Sequence, residues 1–334
     1  MWREKYEPRG RTAAVLAVIL LIPSLGANTA RPPRLEIWGF HAPWDPRSAT
    51  SVAHHGEQLA AVVSGWMTLD SLSGAPVLRY TDTVTVPRRT RRFALVTTYS
   101  GSTFHPELVR HLGTDRALLG QSAGAIARLA TDGRYQGLVL DLEGQTAADT
   151  AALAAALHAI VDSAHRRGVT PVAIAVAPAD TLAYTRQAVQ SADLLVVMLY
   201  DQHWATSDPG PIVSPQWLAP LLSIWVNRFG AARIVAGLPI YGYAWNRGPR
   251  ATAVSYQDVV QFGRRTGLPL TRDTTSAMLH VARPDSVDIW VSDAPLLATL
   301  VAIVKHSDVH RIALWRLGLE DPAIWGPAGI VSTR

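Results

Sequence analysis

The 334-residue chain contains no cysteine, which excludes disulfide frameworks, thiolate metal sites, catalytic thiols and lipid attachment to an N-terminal cysteine. It also lacks long apolar runs. The one stretch that is apolar throughout is AAVLAVILLI at 13–22, about half the length that a bilayer-spanning helix needs, so a multi-span helical membrane protein is excluded. Charge of one sign is scarce as well. The formal net charge is +5, and residues 1–27 hold four basic residues against two acidic ones, so the remainder carries about +3. With its arginines scattered and not drawn into a stripe, that remainder is no nucleic-acid binder. Glycine fingerprints for dinucleotides, phosphate loops, nucleophile elbows and HExxH motifs are missing too. Histidines at 54, 55, 158 and 165 have no carboxylate set at ligand spacing, so no metal site is expected.

What is present begins with a basic segment from Arg3 to Arg11, the ten-residue apolar run, and then Pro23, Ser24, Gly26 and Ala27. That order is the order of a secretory signal peptide. Residues 1–30 are therefore read as signal and short linker, and 31–334 as a single folded domain. The alternative is an uncleaved anchor extending through Leu25. Either reading places the domain outside the cytoplasm, secreted or periplasmic, with no stable membrane insertion once the signal is removed.

Eight short apolar runs follow, at 35–40, 58–63, 92–98, 137–142, 171–176, 194–200, 233–239 and 311–315. None alternates cleanly with polar residues, as expected of strands buried on both faces of a parallel sheet. Helical patterns lie between them, over 115–130, 147–167, 215–229 and 294–306, the second opened by a capping box of Thr146 and Asp149. Eight such repeats predict an α/β fold, a (β/α)8 TIM barrel. The longest inter-strand segment, 240–310, contains a helical pattern near 256–266 and strand-like runs at 278–281 and 288–291, which predict a small inserted hairpin between strands 7 and 8.

In such a barrel, function collects at the C-terminal ends of the strands. Those ends carry Phe40 and Trp44, then Tyr99, then Asp141 and Glu143, then Met198, Tyr200 and Asp201, then Tyr241, and finally Trp315. Strand residues two apart share a face, so Val139, Asp141 and Glu143 are predicted to point into the barrel and Leu138, Leu140 and Leu142 toward the helices. Two carboxylates crowded above an apolar floor cannot both ionise freely, and Glu143, nearer the mouth, is the expected proton donor. Tyr200, Asp201 and the flat ring of Trp315 supply the polar and stacking partners of a sugar site, while Trp44, Trp245 and Trp290 are expected to flank the groove. Trp66, Trp204, Trp217, Trp225 and Trp325 are either core or cleft wall.

GLVLDLE at 137–143 resembles the DGxDxDxE signature of the family 18 glycoside hydrolases, the chitinases and their relatives. MLYD at 198–201, GLPIYGYAW at 237–245 and ALWRLGLED at 313–321 are similar to that family's segments on strands six, seven and eight. The opening GFHAPWD and the ending WRLGLEDPAIW look most like bacterial domains akin to spore-cortex hydrolases and to those fused with polysaccharide deacetylases. The resemblance implies a glycosidase acting on β-1,4-linked N-acetylglucosamine polysaccharide, chitin-like or peptidoglycan-related, by a retaining mechanism in which the substrate's acetamido group is the nucleophile and no metal or organic cofactor is needed. It implies Glu143 as the acid, Asp141 as the stabiliser of the oxazolinium nitrogen, Tyr200 as the holder of the acetamido oxygen, Asp201 as a hydrogen-bond partner of the distorted sugar, and Trp315 as the stacking floor. Tyr241, Met198, Phe40, Trp44, Tyr99, Trp245 and Trp290 would complete the binding groove. The chain departs from the signature at Gln136 and Val139, which stand at its first two Asp positions. A non-catalytic sugar-binding lectin is the alternative, and a monomer is expected in either case.

Overall fold

The computed structural model describes residues 34–80, 84–284, 286–326 and 329–330. The expected signal segment lies outside the described residues. Eight parallel strands form a closed ring: β1 (Glu36–Phe40), β2 (Ala61–Leu69), β3 (Arg91–Thr97), β4 (Gly137–Asp141), β5 (Val172–Val176), β6 (Leu194–Met198), β7 (Ile234–Pro239) and β8 (Arg311–Trp315). Each pairs with its sequence neighbour, and β8 closes the ring on β1 with Trp38 opposite Ala313. The predicted (β/α)8 barrel is the observed architecture.

Both faces of these strands are buried, which explains their unbroken apolar runs. Leu138, Leu140 and Leu142 belong to the layer between strands and helices, whereas Val139 packs inside the barrel with Trp38, Phe93, Leu95 and Val235. Trp38 and Phe93 meet edge to face there, ring centroids 5.0 Å apart. The helices start where short polar residues satisfy their free amides. Asp45, Asp115, Ser214 and Asp293 accept from the first turns of helices Pro46–His55, Arg116–Asp132, Pro215–Phe229 and Ala294–His306, and the Thr146–Asp149 capping box is formed ahead of helix Thr150–His165.

Two regions are larger than the apolar pattern predicts. Strand β2 runs on past residue 63 to Leu69 because Ser64 bulges out between Val63 and Gly65, after which the ladder with β3 resumes. The extra residue inverts the alternation: Ala61 and Val63 face the barrel interior below the bulge, Trp66 and Thr68 line the groove above it. Gly65 is required there, since a Cβ would lie 2.4 Å from the Tyr135 ring. Beyond the barrel, β2 pairs antiparallel with Pro76–Leu78 to form a projecting arm.

The expected small hairpin between strands 7 and 8 is instead part of a five-stranded antiparallel sheet. Its strands lie in the order Thr252–Val254, Gly242–Trp245, Val287–Val291, Leu279–Arg283, Thr271–Arg272. With helix Tyr256–Thr266 it has its own core of Ala244, Val259, Val281, Ile289 and Val291.

Candidate active site

A cavity of about 620 Å³ opens at the C-terminal ends of the barrel strands. Asp141 ends β4 and Glu143 follows two residues later, so both carboxylates rise from the inner face above Val139. Thr97, paired in register with Asp141 across β3 and β4, donates its hydroxyl to Asp141 Oδ2 at 3.1 Å. The same hydroxyl accepts from the Tyr99 amide at 3.0 Å, which leaves its proton for the carboxylate. Asp141 Oδ1 is buried without a hydrogen-bond partner among the described residues.

Burial pushes the Asp141 carboxyl above the usual range, and hydrogen bonding from Thr97 and Glu143 works against that rise. Glu143 is pushed up further, first by burial, then by the neighbouring Asp141 and by the more distant charges of Asp201 and Asp180. The pair therefore holds a proton in neutral solution, on Glu143 in preference to Asp141. This is the polarity of a general acid beside an acceptor.

Asp201 follows β6 in the left-handed backbone region, with φ at 60°, a conformation that a short Asp tolerates better than most residues. Its Oδ1 accepts the phenolic hydrogen of Tyr241. Burial raises the Asp201 carboxyl and the Tyr241 bond opposes it. Tyr200 is pushed well above an ordinary phenol, chiefly by burial and next by Asp201, so it stays a neutral donor. Its ring lies nearly parallel to Trp315, at 10° and 6.4 Å between centroids. Phe40 meets Trp315 edge-on at 5.3 Å, and Met198 also lines the cavity. The Trp315–Arg316 peptide is cis.

The walls are aromatic. Trp66 is anchored by its indole N–H to the His41 carbonyl at 2.9 Å, and Trp44 packs on it at 4.8 Å with 46% of its own surface exposed. Arg316 stacks over Trp44 while its guanidinium bonds Asp45 at 3.1 Å. Tyr99 lines the cavity from a short hairpin, Tyr99–Ser100 with Thr103–Phe104.

Nine of the twelve site residues expected from the sequence thus line one cavity: Phe40, Trp44, Tyr99, Asp141, Glu143, Met198, Tyr200, Asp201 and Trp315. Tyr241 is buried behind it and touches it through Asp201. Trp245 and Trp290 pack instead in an apolar seam with Ala205, Ala251 and Tyr243, where the Trp245 indole bonds the Ser207 carbonyl at 3.0 Å. The cavity also takes Trp66, which the sequence left open between core and cleft wall, and Thr68, Arg79, Tyr80, Thr97, Tyr243 and Arg250, which it did not single out for this role. For Thr97 a signal existed, a polar side chain directly across from Asp141. For the rest, placement depends on the bulge in β2 and on the inserted sheet. Among the described residues no group of three or more His, Asp or Glu is arranged to hold a metal ion, and no helix is long and apolar enough to cross a membrane.

No family model matches the chain. A cortical fragment-lytic enzyme of Bacillus subtilis is 22% identical over 269 residues, covering 75% of this chain and 62% of that protein. The chain spans 60% to 62% of the length of two of the curated relatives it matches. Among solved structures, a chitinase from Chromobacterium violaceum superposes with a TM-score of 0.75 at 20% identity, covering 87% of this chain and 96% of that one. A family GH18 chitinase from Cycas revoluta superposes with a TM-score of 0.70 at 17% identity, covering 87% and 97%. The chain is therefore similar in fold to chitinases, one of them of family GH18, and in sequence to a cortical fragment-lytic enzyme.

Proposed function

We propose that the protein is a glycoside hydrolase that cleaves polysaccharide containing β-1,4-linked N-acetylglucosamine, with the substrate's own 2-acetamido group as nucleophile. The observation that carries this reading is the buried Asp141–Glu143 pair, in which burial and the neighbouring Asp141 push the Glu143 carboxyl up and Asp141 presents a buried oxygen without a partner. Glu143 transfers its proton to the glycosidic oxygen as the bond from that oxygen to the anomeric carbon breaks. The acetamido carbonyl oxygen bonds to the anomeric carbon, and the resulting oxazolinium N–H is met by Asp141 Oδ1. Tyr200 donates its hydroxyl to the acetamido oxygen, Asp201 bonds the distorted ring, and Trp315 stacks beneath it. Glu143, now a carboxylate, takes a proton from the water that opens the oxazolinium, so the configuration is retained.

The reading is supported by the similarity to chitinases and to a cortical fragment-lytic enzyme. It includes export of residues 31–334 as one monomeric domain behind the 1–30 signal. The test is an aryl glycoside of an N-acetylglucosamine oligomer beside its glucose counterpart. Only the acetylated compound is expected to be cut, and a thiazoline mimic of the oxazolinium is expected to inhibit. Comparable cleavage of both, with a trapped glycosyl ester on Asp141 or Asp201, overturns the nucleophile assignment. Detection of the cleaved signal by N-terminal sequencing of the exported protein tests the export.

A further inference from the structure

The groove has an acidic floor and a basic rim. Asp141, Glu143 and Asp201 are the acidic residues that line it, while Arg79 and Arg250 line it higher up. Arg79 follows the strand Pro76–Leu78 on the arm of β2, and Arg250 lies in the loop 246–251 of the inserted sheet, so two separate elements each bring one guanidinium to the same cavity. Both residues are exposed. Neither has an ion pair among the described residues, unlike the neighbouring Arg47 and Arg316, whose charges are matched by Asp45 and Asp258. The floor carboxyls are raised by burial, Glu143 also by Asp141 and Asp201, and the Tyr243 phenol is raised by burial and then by Asp201, with Arg250 and Arg316 working against that rise.

A neutral glycan offers two unmatched guanidinium groups hydroxyl and carbonyl acceptors but no countercharge. An acidic glycan would be repelled by the floor and needs cations to hold its charges away from it. Resting on the hydrolase reading above, we propose that Arg79 and Arg250 are specificity-determining residues that bind carboxylates carried by the polysaccharide, so that the preferred substrate is an acidic N-acetylhexosamine polymer. The planar guanidinium suits a carboxylate through two parallel N–H donors, and at an exposed rim each such contact is worth roughly threefold in binding. The carboxylate can be ether-linked to the acetamido sugar itself, as on a peptidoglycan glycan strand, or can belong to an alternating uronic acid.

The experiment measures kcat/KM of the full chain on four probes. These are a neutral N-acetylglucosamine hexamer, peptide-free peptidoglycan strands, the same strands with their carboxyls converted to methyl amides, and a polymer alternating uronic acid with N-acetylhexosamine. The wild type is expected to favour one of the two acidic polymers over the neutral hexamer by about tenfold or more, and the polymer so favoured identifies the carboxylate source. In the double variant R79Q/R250Q that ratio should fall about tenfold, mainly through KM, with R79K/R250K restoring part of it and thermal unfolding unchanged. Amidation of the strands or raising the salt from 50 to 500 mM should erode the same preference. A wild type that favours the neutral hexamer, or a ratio unmoved in the double variant, overturns the proposal. If no probe is cut at all, the hydrolase reading fails instead. Calorimetric binding of the acidic strands by wild type and double variant then still decides whether the arginines recognise carboxylate.

Discussion

The lower and upper halves of the barrel interior are built on the same strands, yet they put burial to opposite uses. Below, Trp38, Phe93 and Val139 are fully buried among apolar neighbours, and withdrawing them from water stabilises the fold. Two residues further along β4, burial acts on Asp141 and then Glu143, where it destabilises charge and so stores a proton. One pleat thus carries both a stability layer and an acid–base layer, and the step between them is a single inward-facing position. Removing a side chain from either layer should therefore damage one property and spare the other.

The largest effect is expected from Glu143→Gln, which keeps the shape of the side chain and removes the transferable proton. Turnover should fall by about 10³-fold or more while oligosaccharide binding persists, as read by product release and calorimetry. Near wild-type turnover would unseat Glu143 as the acid. The same variant separates the two layers by pH. Because burial raises the folded-state pKa of Glu143, its ionisation costs stability. The stability linked to this group is complete below the ordinary carboxylate range and is lost as pH rises through the raised value. Glu143→Gln abolishes that loss, so its unfolding free energy should gain on wild type progressively as pH rises, in denaturant titrations at several pH values.

In the lower layer, Phe93→Ala removes a ring packed edge-on against Trp38 and should cost about 3 to 5 kcal/mol of stability. Chevron or equilibrium denaturation measures it. The pH profile of the surviving activity should keep its limbs, and a shifted limb would show that the layers are coupled.

A smaller effect is expected from Tyr241→Phe. It deprives the buried Asp201 of its phenolic hydrogen bond, raises that carboxyl further, and should lower kcat/KM by roughly tenfold with little change in melting temperature. Smallest is Thr97→Val. Loss of the hydroxyl that favours ionised Asp141 should move the acidic limb of the pH–rate profile upward, since more Asp141 is then protonated at a given pH. An unmoved acidic limb would remove Asp141 from the ionisation that governs it.

The barrel was legible because its strands bury both faces and so appear as short apolar runs, and because the register over Leu138 to Leu142 follows from simple alternation. The carboxylates, Tyr200 and Trp315 were legible because strand ends deliver them to one place. Trp66 was not, since the apolar run of the second strand stops at Val63, where the strand itself continues through its bulge. Trp245 and Trp290 were expected at the groove because an exposed-looking tryptophan near a strand end has the same local signature as one in a seam. What decides between the two is the antiparallel pairing of Tyr243 with Trp290 in the inserted sheet, a contact 47 residues apart in the chain. Arg79 and Arg250 had no signal of their own, since only tertiary pairing distinguishes a matched arginine from an unmatched one.

The single extra residue at Ser64 makes the upper part of β2 a place where the substrate wall can be exchanged wholesale without redesigning any side chain. Were Ser64 drawn into the ladder with no bulge, every residue above it would turn to the opposite face, sending Met67 and Leu69, now in the layer beneath the helices, into the groove and burying Trp66 and Thr68 in their stead. An aromatic sugar-facing wall would become an aliphatic one, while the carboxylates on β4 stayed where they are. Whether this one residue bulges or pairs is thus a switch for what the groove accepts, separable from the chemistry performed at its floor.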